Sequence, residues 1–443
     1  MANSALFHCH LLVFLLLSII VLTRQDVPLG SSLTASDDGA SWTSPSGEFA
    51  FGFRRLGNSD LFIVAIWFDK IPEKTIVWSA NGDHPVQKGS KIELTTNGEL
   101  VLYNLQGQEL WKPKAVSGRA TSASMLDTGN FVLLSTDSSH IWGSFDEPTD
   151  TILPTQVLGK PSKLSSRRTV TDYSNGKFQL RLQSDGNLEL YLVAVPSDYP
   201  YGSYWSTDTV GSGYQLIFNE SGYLYLLQTN GYIINLTPKE VTSTTKGFYH
   251  RVTLDFDGVL RQYIYPKTQP SKDTQSWSVV WYEPSNMCLA VINSLGSGTC
   301  GYNSYCRLDA EQRPSCECPP GYTYLDPNNT YGGCKPEFKA QSCEMGGLKE
   351  ASGYEMKEVI DIDWPLNDYE RYSPVDEELC KEICLEDCFC YVSVFGLGDT
   401  CWKKRVPLSN GKMDPSVQRK TYIKVAKVNS SFHNSTSPSC VLG

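Results

Sequence analysis

The sequence has no cysteine between positions 25 and 287, although its 443 residues include 14 cysteines. The first half of the chain must therefore fold around an ordinary hydrophobic core, without disulfide bonds. Cys9 lies close to the N-terminus, and the other cysteines all lie between Cys288 and Cys440. We therefore expect the second half to depend on disulfide bonds, which form in an oxidising compartment.

Basic residues are also fewer than acidic residues. The chain carries 38 Lys and Arg residues against 48 Asp and Glu residues, which gives a net charge of −10 and a pI near 5.2. Domains that bind nucleic acid are typically basic, so nucleic acid is not an expected partner. The length of the chain suits two to four domains.

Catalytic motifs are absent as well. Only six histidines occur, and His8 and His10 lie close to the N-terminus. The sequence contains neither Gly-x-Ser-x-Gly nor His-Glu-x-x-His, and it lacks the glycine loop and strand lysine of a kinase. We therefore expect no enzymatic activity, no cofactor and no metal site.

Long apolar runs are limited to Leu11–Leu22, which is too short to span a bilayer comfortably. Its position predicts a secretory signal peptide, residues 1–24, cleaved between about Thr23 and Gln25. A signal anchor is the alternative. We expect the mature protein to be secreted into the apoplast, or to lie at the plasma-membrane surface if the native product continues into a membrane helix.

The first half contains a repeat in which glycine follows a polar residue and precedes an alternating apolar run. Its five copies are Asn97-Gly98, Thr128-Gly129, Asp185-Gly186, Ser221-Gly222 and Asp257-Gly258. This pattern is typical of β-hairpins, because glycine adopts positive φ at little cost. We expect the tryptophans of this region to lie in the core: Trp67, Trp78, Trp111, Trp142 and Trp205. The pattern predicts a mainly β fold of short strands.

The segment from Gln183 to Tyr191 carries polar or aromatic groups at every second position, namely Gln183, Asp185, Asn187, Glu189 and Tyr191. In an extended strand these side chains share one face. Such a face offers the donors and acceptors that sugar hydroxyls need. The alternative interpretation is a solvated strand face beside an Asp-Gly hairpin turn.

Four stretches resemble the bulb-type, mannose-binding lectin regions of plant S-locus glycoproteins and G-type lectin receptor kinases. They are Phe49–Phe53, Ile66–Phe68, Thr75–Asn81 and Trp142–Thr151. The resemblance implies a β-prism of three four-stranded sheets at residues 25–150 and a second bulb-lectin-like prism at residues 151–280. Relatives in this family carry a Ser/Thr kinase domain, which the present sequence lacks.

The family also has a sugar motif, Gln-x-Asp-x-Asn-x-Val-x-Tyr. The resemblance implies carbohydrate binding by the matching residues Gln183, Asp185, Asn187 and Tyr191. Glu189 stands where the motif has valine. If the carboxylate is desolvated there without a partner, the free energy of sugar binding becomes less favourable by about 1–3 kcal/mol. The alternative is that Glu189 accepts hydrogen bonds from the ligand and changes the preferred sugar.

Residues 284–335 have the cysteine order and the Cys-x-Cys step of an EGF-like module. Six cysteines permit fifteen pairings, among which spacing alone cannot choose. The resemblance implies the bonds Cys288–Cys306, Cys300–Cys316 and Cys318–Cys334. The acidic calcium consensus of some EGF modules is missing before Cys288, so calcium is not expected.

Residues 343–428 resemble a PAN/apple domain. The stretch Asp376–Cys390 has helical spacing with an acidic first turn, and it places Cys380, Cys384 and Cys388 along one face. These cysteines would suggest zinc in a reducing compartment, but disulfides after a signal peptide. Cys401-Trp402-Lys403 and a strand at 420–425 complete the resemblance. It implies the bonds Cys380–Cys401 and Cys384–Cys390, with Cys343–Cys388 as a third.

The tail at 429–443 is polar and contains Cys440, which is left over after these pairings. It could be free, could join two chains in a homo- or hetero-dimer, or could mark an artefactual end of the gene model. N-glycosylation is predicted at the sequons Asn219, Asn235, Asn328, Asn429 and Asn434.

Two functions follow from these features. The first is a plant recognition protein whose receptor-like ectodomain binds mannose-type or cell-wall carbohydrate, or a protein ligand, in defence or self-recognition signalling. The second is an interaction or decoy protein without sugar binding, which pairs with receptor-kinase relatives through the EGF–PAN half. A truncated gene model of a receptor kinase is a further alternative.

Overall fold

A computed structural model describes residues 26–114, 116–238, 244–268, 276–292, 295–343 and 351–427. The predicted signal peptide, the sequons Asn429 and Asn434, and Cys440 lie outside these residues. The described residues form two compact units. The first contains the chain up to Leu188 together with Thr207–Phe256 and Leu260–Tyr282, and the second contains Glu189–Ser206, Asp257–Val259 and the chain from Glu283 onward.

The N-terminal part of the first unit consists of short antiparallel strands. They are β1 (Asp26–Pro28), β2 (Ser32–Thr34), β3 (Ser41–Thr43), β4 (Phe49–Arg55), β5 (Leu61–Phe68), β6 (Ile76–Ser79), β7 (Val86–Gln87), β8 (Lys91–Leu94), β9 (Leu100–Tyr103), β10 (Glu109–Trp111), β11 (Ser122–Met125), β12 (Phe131–Leu134) and β13 (His140–Gly143). A one-turn 3₁₀ helix, Ser144–Asp146, follows. The strands form three sheets with the orders β1-β11-β12-β13, β10-β9-β8-β2 and β3-β4-β5-β6, the last extended by β7 beside β5.

Aromatic side chains fill the space between these three sheets. Phe51 stacks on Phe131 with ring centroids 4.0 Å apart, and both are fully buried. Trp78 meets Trp111 and Trp142 edge to face, at 5.9 and 6.2 Å. Such pairs contribute about 0.5–1.5 kcal/mol beyond the area they bury. The predicted core position of the tryptophans is confirmed for Trp67, Trp78 and Trp142, whereas Trp111 and Trp205 are only partly buried.

The following strands are β14 (Thr151–Ile152), β15 (Val157–Gly159), β16 (Ser162–Arg167), β17 (Asn175–Leu182), β18 (Leu188–Ala194), β19 (Tyr199–Ser206), β20 (Gly213–Phe218), β21 (Leu224–Gln228), β22 (Ile233–Asn235), β23 (Phe248–Leu254), β24 (Leu260–Pro266) and β25 (Ser278–Glu283). Two four-stranded sheets have the orders β14-β23-β24-β25 and β15-β20-β21-β22. In addition, β16 pairs with β17, and β18 pairs with β19 within the second unit. The predicted mainly β fold is therefore confirmed.

The five glycine repeats form hairpin turns. In four of them the first residue of the turn donates its N–H to the carbonyl of the fifth, at 2.8–3.0 Å: Thr95 to Glu99, Leu126 to Asn130, Gln183 to Asn187 and Asn219 to Tyr223. All five glycines have positive φ, between 77° and 92°. At Gly186 a Cβ would also lie 2.4 Å from the carbonyl oxygen of Gly213, so no larger residue fits. The hairpin prediction is confirmed.

The C-terminal part of the second unit contains helices α1 (Met287–Ala290) and α2 (Glu377–Glu386), a 3₁₀ turn at Thr330–Gly332, and the strands β26 (Tyr305–Leu308), β27 (Pro314–Glu317), β28 (Tyr322–Tyr324), β29 (Cys334–Pro336), β30 (Tyr354–Ile360), β31 (Ile362–Asp363), β32 (Asp368–Tyr372), β33 (Val392–Gly396), β34 (Thr400–Lys404), β35 (Gly411–Met413) and β36 (Lys420–Ala426). A five-stranded sheet has the order β30-β36-β33-β34-β32, and β28 pairs with β29. Strand β36 of the five-stranded sheet confirms the strand predicted at 420–425.

Helix α2 begins where the acidic stretch predicts it. The Asp376 carboxylate accepts the N–H of Leu379 at 2.8 Å and so satisfies one of the helix's unpaired donors. Cys380 and Cys384 point into the core. The prediction that Cys388 lies on the same helical face is wrong, because the helix ends at Glu386 and Asp387 adopts an extended conformation.

The EGF-like and PAN-like regions share one sheet, of order β27-β26-β35-β31. Its middle strands, β26 and β35, pair in parallel, with Tyr305 opposite Gly411. The fully buried Trp364 donates its Nε1–H to the carbonyl of Ser304 at 2.8 Å. The two regions thus bury a common core, although the sequence suggests separate modules.

Candidate functional site

The segment 183–191 is a turn followed by a strand, and not one extended strand. Gln183 donates its N–H to the carbonyl of Asn187, and Gly186 donates its N–H to the carbonyl of Gln183, both at 2.9 Å. Strand β18 begins only at Leu188. The prediction of a single face for all five alternate residues is therefore wrong, because the positive φ of Gly186 closes the chain into a turn.

Asp185 supports this turn with its own side chain. Its carboxylate accepts the N–H of Asn187 at 2.9 Å, as in an Asx turn. Its main-chain carbonyl accepts the N–H of Gly211 at 2.7 Å. The rest of the side chain is exposed to solvent, so Asp185 combines a structural contact with an accessible charged group.

Asn187 is only 4% exposed and anchors the chain that follows β19. Its Oδ1 accepts the N–H of Thr209 at 2.9 Å, while the Thr209 hydroxyl donates to the carbonyl of Gly186 at 2.9 Å. The side-chain carbonyl of Asn187 therefore already accepts a hydrogen bond from within the protein.

Asn130 has the same role in the first group of sheets. Its Oδ1 accepts the N–H of Phe145 and the hydroxyl of Ser144, each at 3.1 Å. Sequence reasoning missed this shared anchoring role. The signal was present, because asparagine directly follows glycine in both repeats, at Gly129-Asn130 and Gly186-Asn187.

Glu189 and Tyr191 lie two residues apart on β18, and both are half-buried. The Tyr191 hydroxyl donates a hydrogen bond to the Glu189 carboxylate. Bonds to an ionised acceptor are roughly twice as strong as neutral ones. Glu189 therefore engages the hydroxyl that the sugar motif assigns to the ligand.

The five residues of the motif segment fall in both units, since the division lies between Leu188 and Glu189. Gln183, Asp185 and Asn187 belong to the first unit, and Glu189 and Tyr191 belong to the second. Gln183 is half-buried. Within the first unit the structure brings Gln183 and Asn187 together through the turn, and within the second it joins Glu189 to Tyr191.

The stretch Trp142–Thr151, which carries the family resemblance, has a structural role. Glu147 Oε1 accepts the Nε1–H of Trp142 at 2.9 Å and the main-chain N–H of Lys114 at 2.8 Å. The carbonyl of Glu147 accepts the Nε1–H of Trp78 at 2.8 Å. Glu147 thus accepts hydrogen bonds from the indole N–H groups of two core tryptophans.

A small cavity lies beside this stretch and is lined by Val77, Trp78, Gly129, Ser144, Phe145, Pro148, Thr151, Leu153 and Gln156. Its volume is about 10 Å³. That volume suits about one water molecule and excludes a sugar ring. Among the described residues, no group of three His, Cys, Asp or Glu side chains is placed to hold a metal ion.

The disulfide bonds of the second unit are Cys288–Cys306, Cys300–Cys316, Cys318–Cys334, Cys343–Cys388, Cys380–Cys401 and Cys384–Cys390. They join the same cysteines that the family patterns pair. Every described cysteine takes part in one of these bonds.

Three predicted glycosylation sites lie among the described residues. Asn328 and Asn235 are exposed, in a turn and at the end of β22 respectively. Asn219 is half-buried, and its Oδ1 accepts the N–H groups of Ser221 and Tyr223 at 3.0 Å. In the described part of the chain, no helix is both long and apolar enough to cross a bilayer.

Two family models match this chain. Residues 75–174 match the D-mannose binding lectin model, and residues 223–325 match the S-locus glycoprotein domain model. Among solved structures, the Japanese Marasmius oreades lectin covers 31% of this chain and 91% of its own, at 18% identity and a TM-score of 0.22.

Curated plant kinases are similar over most of the chain. A G-type lectin S-receptor-like serine/threonine-protein kinase of Oryza sativa subsp. indica is 47% identical over 91% of this chain and 51% of its own. A kinase of the same class from Arabidopsis thaliana is 40% identical over 94% of this chain and 52% of its own. The chain thus spans about half the length of the curated relatives it matches. The chain is therefore 40–47% identical to G-type lectin S-receptor-like kinases over about nine-tenths of its own length.

Proposed function

We propose that this chain is an extracellular recognition module that binds carbohydrate of the mannose type through the segment 183–191. The observation that carries the proposal is the retention of Gln183, Asp185 and Asn187 on a turn and of Tyr191 on the strand β18 that follows it. Asp185 is exposed, and Gln183 and Tyr191 are half-exposed. Their amide, carboxylate and phenol groups suit the hydroxyls of a sugar. The match to a mannose-binding lectin family in the same chain supports this choice of ligand.

The proposal extends to domains and location. Residues 25–150 and 151–280 act as two lectin-like prisms, residues 284–335 as an EGF-like module and residues 343–428 as a PAN/apple domain. The chain works in the apoplast or at the plasma-membrane surface, in defence or self-recognition signalling. The disulfide bonds of the second unit support an oxidising location.

Carbohydrate binding is tested with the purified, secreted chain on a glycan array and by titration with methyl α-mannoside. The double variant Gln183→Ala/Asp185→Asn removes an amide and a charge, while the asparagine introduced by the second change keeps an oxygen that accepts the N–H of Asn187. We expect the variant to lose mannose binding and to retain its melting temperature.

The matched control is Asp326→Asn. The Asp326 carboxylate is also exposed, and it accepts the N–H of Asn328 at 2.9 Å in a comparable turn. This variant is expected to bind as the wild type does. Absence of any glycan signal from the wild type, or equal binding by the double variant, would refute sugar recognition by this segment.

A second candidate function is pairing with receptor-kinase relatives, without sugar binding. Two contacts favour it, since Glu189 accepts the Tyr191 hydroxyl and the Asn187 carbonyl is buried. The second unit also exposes two large apolar side chains, Phe389 at 63% and Leu397 at 76%. Exposed apolar groups are common contact points for partners.

This candidate is tested by co-purification with a full-length relative from plant cells. Replacement of Phe389 and Leu397 by serine should reduce the recovered relative. The control is Val210→Ser, which removes an equally exposed apolar group, at 68%, from the first unit. Equal recovery with all variants would count against pairing through residues 284–428.

A further inference from the structure

The sheet β15-β20-β21-β22 has an apolar outer face. The row Leu158, Leu216 and Leu226 faces inward and is buried, at 5%, 1% and 0% exposure. The residues on either side of that row point to the opposite face. Antiparallel sheets usually place polar side chains on the face that meets water.

On this sheet the outward positions are mainly apolar. One row across the four strands is Val157, Ile217, Tyr225 and Asn235, joined by direct cross-strand pairing. The next outward row is Gly159, Gln215, Leu227 and Ile233, in which Leu227 and Ile233 are apolar. We call the set Val157, Ile217, Tyr225, Leu227 and Ile233 the outer face.

The outer face is accessible to solvent. Val157 is 46% exposed and Ile233 is 45% exposed, while Ile217, Tyr225 and Leu227 are half-buried. A contiguous apolar patch of this kind promotes association unless something covers it.

The single polar member of the first row, Asn235, begins the sequon Asn235-Leu236-Thr237. It is exposed and lies directly opposite Tyr225. Opposite residues in an antiparallel pair have Cβ atoms about 4.5–5.5 Å apart. Neighbouring strands are about 4.8 Å apart, so the far end of the row, at Val157, lies about 14 Å from Asn235.

We propose that an N-linked glycan on Asn235 lies over the outer face and shields it from water and from other copies of the chain. The first sugar is attached beside the Tyr225 ring, against which the C–H face of a sugar packs. The following sugars run along the row toward Ile217 and Val157. The proposal rests on passage through the secretory pathway, and it does not depend on sugar recognition at 183–191.

The attachment has a defined chemistry. A bond forms between Nδ2 of Asn235 and the anomeric carbon of an oligosaccharide. The bond between that carbon and its lipid-diphosphate carrier breaks, and the amide proton leaves as the diphosphate departs. The secretory pathway supplies this lipid-linked donor.

The same geometry sets the order of events. Thr237 is only 1% exposed, and its hydroxyl donates to Gln262 Oε1 at 2.6 Å and accepts the N–H of Leu224 at 3.2 Å. The threonine hydroxyl is part of what makes the sequon an acceptor. Because the folded sheet buries it, attachment must precede folding, and the glycan is already in place when the outer face forms.

The test compares the full secreted chain with the variants Asn235→Gln and Asn328→Gln. Asn328 is the control, since it is an exposed sequon in a turn and not in a strand of this sheet. Intact mass and glycopeptide mapping measure occupancy. Light scattering after size exclusion measures the oligomeric state, and fluorescence of an apolar-surface dye measures the exposed patch.

We expect Asn235 to be occupied in the wild type. Asn235→Gln is expected to bind more dye and to elute partly as dimers or larger species, while Asn328→Gln stays monomeric. Should Asn235→Gln fail to be secreted, enzymatic removal of the glycans from the folded wild type gives the same comparison. Adding Ile217→Thr and Tyr225→Thr to Asn235→Gln is expected to restore the monomer.

Three results would overturn the proposal. One is an unmodified Asn235 in a chain whose Asn328 carries a glycan. Another is identical dye binding and mass for the two single variants. The third is a wild-type dimer that persists whether or not Asn235 is glycosylated, since a second copy would then cover the face. A chain without glycans at any sequon would refute both this proposal and the extracellular location.

Discussion

Replacing Glu189 with valine is expected to strengthen mannose binding. In the wild type the Tyr191 hydroxyl donates to the Glu189 carboxylate. A sugar that uses this hydroxyl must first break that bond. Glu189→Val removes this carboxylate acceptor, and the valine side chain offers the sugar ring an apolar contact.

The magnitude follows from the strength of the bond. A hydrogen bond to a charged group contributes about 1.5–3 kcal/mol. Both side chains are half-buried, so solvent screening reduces this to about 1–2 kcal/mol. Since about 1.4 kcal/mol corresponds to a tenfold change, the dissociation constant is expected to fall about 5- to 30-fold. Shallow sugar sites bind with millimolar constants, near −4 kcal/mol, so a change of this size is measurable.

The assay is a titration of the full chain with methyl α-mannoside, followed by calorimetry or ligand-observed NMR. Four proteins complete a double-mutant cycle: the wild type, Glu189→Val, Tyr191→Phe and the double variant. The gain should require the tyrosine hydroxyl, so the double variant should bind no better than Tyr191→Phe.

Glu99→Val is the matched control, because it removes an exposed glutamate from another hairpin repeat. It is expected to leave mannose binding unchanged. If Glu189→Val gained nothing, or if its gain persisted in the Tyr191→Phe background, competition between Glu189 and the sugar would be refuted.

Three further predictions concern stability. Asn187→Ala leaves the buried N–H of Thr209 without its acceptor and is expected to lower the free energy of unfolding by about 1–3 kcal/mol in denaturant titrations. Glu377→Gln is expected to destabilise the chain above pH 4.5 but not near pH 2. Hydrogen bonds from Lys420 and Tyr422, with further help from Lys381, lower the Glu377 pKa to about 2, so its contribution is lost as the pH falls through that value. Trp364→Ala is expected to lower the free energy of unfolding by about 3–5 kcal/mol, because it removes a fully buried side chain. The same change is expected to speed amide hydrogen exchange in β26 as well as in β35.

The predictions for Glu377 and Asn187 each have a matched control. Glu378→Gln removes a neighbouring carboxylate that is 78% exposed, so its effect should be small at every pH. Thr207→Ala removes a nearby hydroxyl without orphaning the Thr209 N–H, and it should cost less than Asn187→Ala. Equal effects of Glu377→Gln at pH 2 and pH 6, or faster exchange confined to β35 in Trp364→Ala, would contradict the reasoning.

The local structure was largely predictable from the sequence. Glycine after a polar residue placed the hairpin turns, because few other residues adopt positive φ at such a position. Asp376 and the glutamates after it predicted the start of α2, because a carboxylate at that position satisfies unpaired helix donors. Alternation of apolar residues indicated a mainly β chain. These features depend on neighbours within a few positions, so short patterns contain the information.

The candidate site was only partly predictable. The sequence identified Gln183, Asp185, Asn187 and Tyr191 as a group. However, polar residues at every second position are compatible both with one extended strand and with a turn followed by a strand. Burial of Asn187 depends on Thr209, which lies 22 positions further along the chain. A contact at that separation leaves no local pattern.

Short sequence patterns were sufficient to predict the β class, the turns and the start of helix α2, and they showed the resemblance to G-type lectin receptor kinases. Three features became visible only in the folded chain. The EGF-like and PAN-like regions share a core, Lys404 is buried beside Asp363 and the carbonyl of Trp364, each at 3.0 Å, and the outer face is apolar. Turns and helix starts follow from local backbone preferences, whereas burial, register and charge pairing arise from strands that are distant in sequence and meet only when the chain is folded.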